Sequence, residues 1–216
     1  MKKLVRGIVE FRNKRLPKYQ ELFSSFANGQ NPDALFVTCS DSRIAPNWFA
    51  STDPGDLFVI RNVGNIIPCC HQDGHSTADE SEAAAIEFAI LNLKVADIIV
   101  CGHSDCGAMH ALLKGREKIE APHLRAWLRH AEGSLDRERK GKLSPENELS
   151  QQNVLLQLEH LRSYQVVKEQ VLSGKLNLHG WWFDLYSGNV FAYEESSQSY
   201  VLIDEAEAKR IIARLK

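Results

Sequence analysis

Short, unbroken apolar runs constrain this sequence most. Ala34-Leu35-Phe36-Val37-Thr38-Cys39 and Asp97-Ile98-Ile99-Val100-Cys101-Gly102 are continuous rather than alternating. A strand of that kind hides both faces, as strands of a parallel sheet covered by helices do. The first run follows Asn31-Pro32-Asp33, and another, Leu57-Phe58-Val59-Ile60, follows the turn Asp53-Pro54-Gly55-Asp56. Strands that end at Cys39 and beside His103 put both residues at the carboxyl edge of such a sheet, where open α/β folds bind ligands.

Between the runs the apolar spacing becomes helical. Leu4, Ile8, Phe11, Leu22 and Phe26 mark a helical stretch interrupted near Pro17, with its basic residues on the wet face. Asp79 and Glu82 resemble a capping box ahead of Ala83, Ile86, Ala89, Ile90 and Leu93, and another helix is expected from near Ser104. Residues 121 to 142 read as a surface helix and loop. Ser144-Pro145 opens a helix that continues through Leu149, Leu155, Leu158, Leu161, Val167 and Val171 towards Gly174, with a break near Ser163-Tyr164. Leu176 to Leu185 and Val190 to Tyr193 read as a hairpin joined by Tyr186-Ser187-Gly188-Asn189, and a last helix runs from Glu205 to Leu215. His110, His123, His130 and His160 fall on helical segments and are expected to face solvent.

The expected fold is therefore α/β: a mostly parallel central sheet with flanking helices, a C-terminal antiparallel edge hairpin and an N-terminal helical arm. A length of 216 residues suits one domain. Within it, residues 1–30 form the arm, 31–193 the core and 194–216 the C-terminal helix. With 26 Lys+Arg against 28 Asp+Glu the formal charge is −2, which gives no field for capturing nucleic acid or an anionic membrane. No apolar stretch is long enough to span a bilayer, and Met1-Lys2-Lys3-Leu4 is not followed by a signal core, so cytoplasmic residence is expected.

Five cysteines, an odd number, argue against a disulfide scaffold and for metal ligands, nucleophiles or buried thiols. His103 and Cys106 stand three apart across a strand-to-helix turn, and Cys39 ends a neighbouring strand. Two sulfurs and one nitrogen suit zinc, and three protein ligands leave the open position that separates catalytic from structural sites. The bland alternative is a chance His-x-x-Cys pair beside a buried thiol. Cys101, within a strand, reads as core, and Trp181, Trp182 and Phe183 read as packing.

With Cys39-Ser40-Asp41-Ser42-Arg43, Arg61-Asn62-Val63-Gly64-Asn65, Gly102-His103-Ser104-Asp105-Cys106-Gly107 and Leu178-His179-Gly180-Trp181, the sequence resembles the beta-class carbonic anhydrases of the plant and cyanobacterial type. Their order and spacing span most of the chain. The resemblance implies a lyase that reversibly hydrates CO2 to bicarbonate and a proton. Its one Zn2+ per chain would be held by Cys39, His103 and Cys106, and its zinc-bound hydroxide oriented by Asp41, itself fixed by Arg43. A carboxylate only accepts hydrogen bonds, and a bidentate guanidinium keeps it ionised and aimed. Two thiolates donate more charge than the ligands of the three-histidine carbonic anhydrases, so a less acidic water is expected.

The resemblance further places Gln30, Phe58, Val63, Gly64, Phe88 and Gly107 around the substrate. Gln30 reaches a neighbouring subunit's pocket, which implies a homodimer or a higher homo-oligomer, in the cytoplasm or inside a bacterial microcompartment. Phe88 stands where the family often has tyrosine. Another subclass builds a regulatory bicarbonate site from tryptophan, arginine and tyrosine; the matching positions here are Phe36, Arg61 and Phe183, which implies an open site without cooperative inhibition, with Arg61 serving structure. The sequence departs from the family around Cys69, Cys70, His71 and His75, read as an exposed loop or, alternatively, a second metal or redox site. His71 and His75 are the proton-shuttle candidates. The competing functions are a COS or CS2 hydrolase on the same scaffold and a non-catalytic zinc or redox protein; a nucleotide site is set aside because the phosphate-cradling glycine pattern is missing.

Overall fold

In the computed structural model, which describes residues 1–215, the strands Ala34–Cys39 (β1), Leu57–Asn62 (β2), Asp97–His103 (β3), Asn177–Phe183 (β4), Val190–Glu194 (β5) and Ser199–Leu202 (β6) form one sheet ordered β2-β1-β3-β4-β5-β6. The first four of that order run parallel, with Cys39 opposite Asn62 and His103 opposite Phe183. β5 and β6 add antiparallel strands at one edge. Every residue of β1 is buried, as its unbroken apolar run requires. β4 and β5 pair antiparallel as the expected hairpin does, β4 also pairs parallel with β3, and β6, in the stretch expected to hold only the final helix, extends the edge by one more strand.

The chain divides into two compact units, Met1–Asn31 and Pro32–Lys216. The first unit holds helices Lys2–Glu10 (α1) and Leu16–Ser25 (α2), joined by a π-type turn over Phe11–Arg15, so helical backbone runs past the break expected near Pro17. None of its helical side chains is buried.

The second unit carries Pro46–Phe49 (α3), Ser81–Glu87 (α4), Gly107–Leu113 (α5), Pro122–Trp127 (α6), Pro145–Ser163 (α7), Gln165–Leu172 (α8) and Glu205–Ile212 (α9). α7 covers β3 and β4 with Val154 and Leu158. It approaches so closely that a Cβ at Gly102 would meet Val154 Cγ2 at 2.7 Å, which is why that position has no side chain. The capping box at α4 does not form. Asp79 Oδ1 instead accepts from Ser81 N at 2.8 Å, and Glu82 turns inward, where its Oε1 accepts from Asn62 Nδ2 at 3.0 Å. α5 starts at Gly107 rather than near Ser104, because Asp105 takes a left-handed conformation with φ 55° and reverses the chain. No helix among the described residues is long and apolar enough to cross a membrane.

Of the four helical histidines, His123 is exposed as expected, but His130 is only 8% exposed and His160 is half-buried. Segment Leu128–Ser134 is a 3-10 helix. Its tighter winding changes which residues face inward and brings His130 into the core. Burial, with Arg129 and His160 nearby, lowers the His130 pKa from 6.5 to about 4. The neutral ring is favoured in the fold, so nothing is lost above pH 6.5, and stability falls as pH drops from there towards about 4, where the unfolded chain gains a proton that the folded chain refuses. Unfolding by urea at neutral pH and near pH 4.5 should show His130→Phe losing about 2–3 kcal/mol less than wild type on acidification; equal losses would place the acid sensitivity elsewhere.

Candidate metal centre

Cys39 closes β1 and His103 closes the adjacent β3, so register alone puts them side by side at the carboxyl edge of the sheet. The turn through Asp105 then returns Cys106 to the same point. The two sulfurs and the ring nitrogen lie within 4.8 Å of one another, all three residues are buried, and among the described residues this is the one such group.

The imidazole is held in one tautomer. Ser104 C=O can only accept, so His103 Nδ1 carries the proton and donates to it at 2.8 Å. Nε2 is left buried with no partner. An orphaned buried lone pair beside two thiols fits a metal ion, and the donor set of two sulfurs and one nitrogen fits zinc, with one tetrahedral position free.

The thiols behave as a pair sharing one proton. The Cys39 pKa is lowered to about 4, chiefly by hydrogen bonding from Cys106 and against the cost of burial, with help from the N–H groups of Gly64 and Asp41. Cys106 is correspondingly raised by the Cys39 thiolate and by burial. Surroundings that favour a sulfur anion at this point also favour a cation beside it.

Beside this group, Arg43 grips Asp41 in a fork, Nε to Oδ1 at 3.0 Å and Nη2 to Oδ2 at 2.7 Å. The guanidinium holds the Asp41 carboxyl well below the usual carboxylate range. Arg43 is gripped in turn by Asp105, Nη1 to Oδ2 at 2.8 Å and Nη2 to the backbone oxygen at 3.0 Å, and Asp105 Oδ1 meets His110 Nε2 at 2.9 Å. Arg61 serves structure, as the sequence implies: Nη2 donates to Cys39 O at 2.9 Å and Asp41 O at 2.8 Å.

The loop after β2 is clamped at nearly every peptide. Trp127 Nε1 donates to Val63 O at 2.8 Å, Asn153 Nδ2 to Gly64 O at 2.9 Å, His160 Nδ1 to Ile67 O at 2.7 Å and Tyr164 Oη to Pro68 O at 2.7 Å, while Gln157 Oε1 accepts from Ile67 N at 2.8 Å. Gly64 N in turn donates to Cys39 Sγ at 3.4 Å. Sequence reasoning overlooked Trp127, Asn153, Gln157, Tyr164 and Asp105. The signal for three of them was the spacing of Asn153, Gln157, His160 and Tyr164, which repeats every three or four residues.

Gly107 follows Cys106 at the start of α5, while Val63 and Gly64 lie on the loop after β2, from which Gly64 N reaches Cys39 Sγ. Phe58 and Phe88 face each other at 5.8 Å, but Phe58 pairs with Leu35, four residues back along β1 from Cys39, roughly 13 Å at strand rise. Gln30 belongs to the first unit. Phe36 is fully buried against Phe49 and Trp181, and Phe183 stacks on Phe49 at 4.6 Å. Cys69, Cys70, His71 and His75 do not gather into a metal-binding group, and His71 and His75 lie on an exposed turn.

A family model described as carbonic anhydrase matches residues 34–190. A carbonic anhydrase of Synechococcus elongatus is 40% identical over 215 residues, covering 97% of this chain and 77% of that protein. One of Pseudomonas aeruginosa is 37% identical, covering 98% and 96%. Among solved structures, the beta-carbonic anhydrase CcaA aligns with a TM-score of 0.86 at 37% identity over 94% of this chain and 98% of that one. One of two tetrameric beta-carbonic anhydrases of Sordaria macrospora aligns with a TM-score of 0.73 at 27% identity, over 88% and 94%.

Zinc titration of the apo protein should saturate at one ion per chain and release protons as the thiols ionise. Cys106→Ser should weaken binding by more than the ~10–100-fold typical of lost outer-shell partners; unchanged affinity would remove Cys106 from the ligand set.

Proposed function

The chain belongs to the beta-class carbonic anhydrases, enzymes of CO2 hydration, and on that footing we propose that it works at a zinc ion held by Cys39, His103 and Cys106, with Asp41 and Arg43 directing the attack. The observation that carries this reading is the forked Asp41–Arg43 pair set beside a buried two-sulfur, one-nitrogen group. When bound, the ion supplies the positive charge that brings a water's pKa towards neutrality.

The rest falls to the chain's own side chains. Asp41 stays ionised because Arg43 donates to both its oxygens, so it can only accept. Accepting the hydrogen of the attacking oxygen turns that oxygen's lone pair towards the carbon of CO2. The new C–O bond gives bicarbonate, and the proton that the attacking water gave up on ionising leaves to solvent, since a carboxyl so strongly acidified does not retain it. Asp105 steadies the far edge of Arg43 and thereby the aim of Asp41.

Gln30, Phe58 and Phe88 enter this reading as pocket groups supplied by a second copy. A homo-oligomer is what this reading requires, and Trp48, Leu91, Val63 and Phe88, exposed at 89%, 57%, 43% and 42%, are apolar side chains that a second copy would cover.

The test is stopped-flow CO2 hydration on zinc-quantified protein. Asp41→Ala should retain its metal and lose on the order of 100-fold in kcat, the lower range for a positioned proton-handling group, and Cys106→Ser should lose activity with its metal. Zinc-loaded wild type without hydration, or Asp41→Ala at full rate, would overturn the reading.

Regulation follows from the same geometry. Asp41 is committed to Arg43, Phe36 and Phe183 bring no polar atom to the place where the other subclass binds bicarbonate, and Arg61 is spent on backbone oxygens. Bicarbonate should therefore inhibit hyperbolically in steady-state rates, and a sigmoidal curve would contradict a permanently open site.

A further inference from the structure

Two peptides meet at Gly64, and both are held from outside the loop. The Val63 carbonyl takes the indole N–H of Trp127 at 2.8 Å, and the Gly64 carbonyl takes the amide of Asn153 at 2.9 Å. The first is the telling one. A trans peptide is planar, and its C=O and N–H point in opposite directions. The group at the other end of the Val63 carbonyl's own peptide is therefore Gly64 N–H, which donates to Cys39 Sγ at 3.4 Å. The atoms form one line: indole N–H to carbonyl, through a rigid plane, amide N–H to sulfur.

Such a line does two things. It fixes the direction of the donor, because a plane pinned at its oxygen cannot swing at its nitrogen. It also polarises the amide, because a carbonyl that accepts a hydrogen bond withdraws charge from its N–H. Asn153 fixes the next plane. With both neighbouring peptides held, Gly64 keeps φ +88°, a conformation that glycine adopts without strain.

The supporting side chains are costly to bury and would not be there for packing. Asn153 is 1% exposed and Gln157 is fully buried, on a helix whose inner face otherwise carries Val154, Leu158 and Leu161. Their own polar atoms are met, with Gln157 Nε2 donating to Asn153 Oδ1 at 2.9 Å and to His130 O at 3.3 Å. A satisfied buried network of this kind specifies one geometry, where apolar residues of the same size would specify only a volume.

We infer that Trp127 is a positioning residue for the Cys39 sulfur, acting through the Val63–Gly64 peptide with Asn153 as its second anchor, and that it sets how much charge Cys39 gives to a metal. The inference rests on the reading of Cys39 as a metal ligand. Removing the indole N–H frees the peptide, weakens the hydrogen bond to sulfur and leaves Cys39 richer in electrons.

Cobalt(II)-substituted protein reports this directly, because the sulfur-to-cobalt charge-transfer band moves to longer wavelength as the sulfur becomes a stronger donor. Trp127→Phe, which keeps an aromatic ring and loses the N–H, should bind one cobalt per chain and show the band shifted to longer wavelength. Leu161→Ala, a core truncation on α7 that removes none of the loop's hydrogen bonds, should lower stability and leave the band in place. If Trp127→Phe fails to fold, replacing Trp127 with its benzothiophene analogue keeps the ring shape without the donor and is read the same way. A donor-free variant whose band coincides with the wild-type band overturns the inference while leaving the ligand assignment intact. Wild type that binds cobalt without any such band overturns the ligand assignment, and the inference falls with it.

Discussion

Bringing two buried sulfurs and a buried imidazole to one point is the constraint from which the rest of this structure follows. A charge removed from water must be met by donors or neutralised. Around Cys39 the donors are a thiol and two backbone N–H groups, all delivered by chain segments whose ends are fixed elsewhere. β1 sets the sulfur's height, β3 brings the imidazole, and the left-handed Asp105 turns Cys106 back towards both. The sheet is the frame because parallel strands with covered faces allow residues from distant parts of the sequence to end side by side.

The neighbouring carboxylate answers a second form of the same demand. Asp41 is kept ionised by a guanidinium that is itself held on its far edge by Asp105 and backed by His110. The charges alternate from Asp41 to Arg43 to Asp105. Each group limits the movement of the next, so aim is obtained from a chain of modest contacts on a partly exposed surface, where any one ion pair contributes little by itself.

Much of this was legible in the sequence because the relevant signals are local. Continuous apolar runs announced β1 and β3, and the residues that follow them placed Cys39, His103 and Cys106 at one edge. β6 escaped because four residues, Ser199 to Leu202, carry too short a pattern beside a polar turn. His130 was misplaced because the sequence does not reveal the change of winding at Leu128–Ser134, and three residues per turn face different neighbours from 3.6. The polar stripe of Asn153, Gln157, His160 and Tyr164 was hidden by the leucines around it. A buried amide looks like a surface residue until its partner is known, and the partners here lie in a loop about ninety residues away.

α7 joins these pieces mechanically. It rests Val154 on the bare backbone of Gly102, sends Ser150 Oγ to the His103 carbonyl at 2.8 Å, and holds Gly64 through Asn153. The helix that covers the sheet is thus also the clamp on two of the three candidate ligands' surroundings. Such a centre has no soft hinge of its own and opens only when the central layer comes apart. In the language of cooperative units, it belongs to the last part of the molecule to exchange its amide hydrogens, unlike the mobile lids that many enzymes draw from their least stable segments.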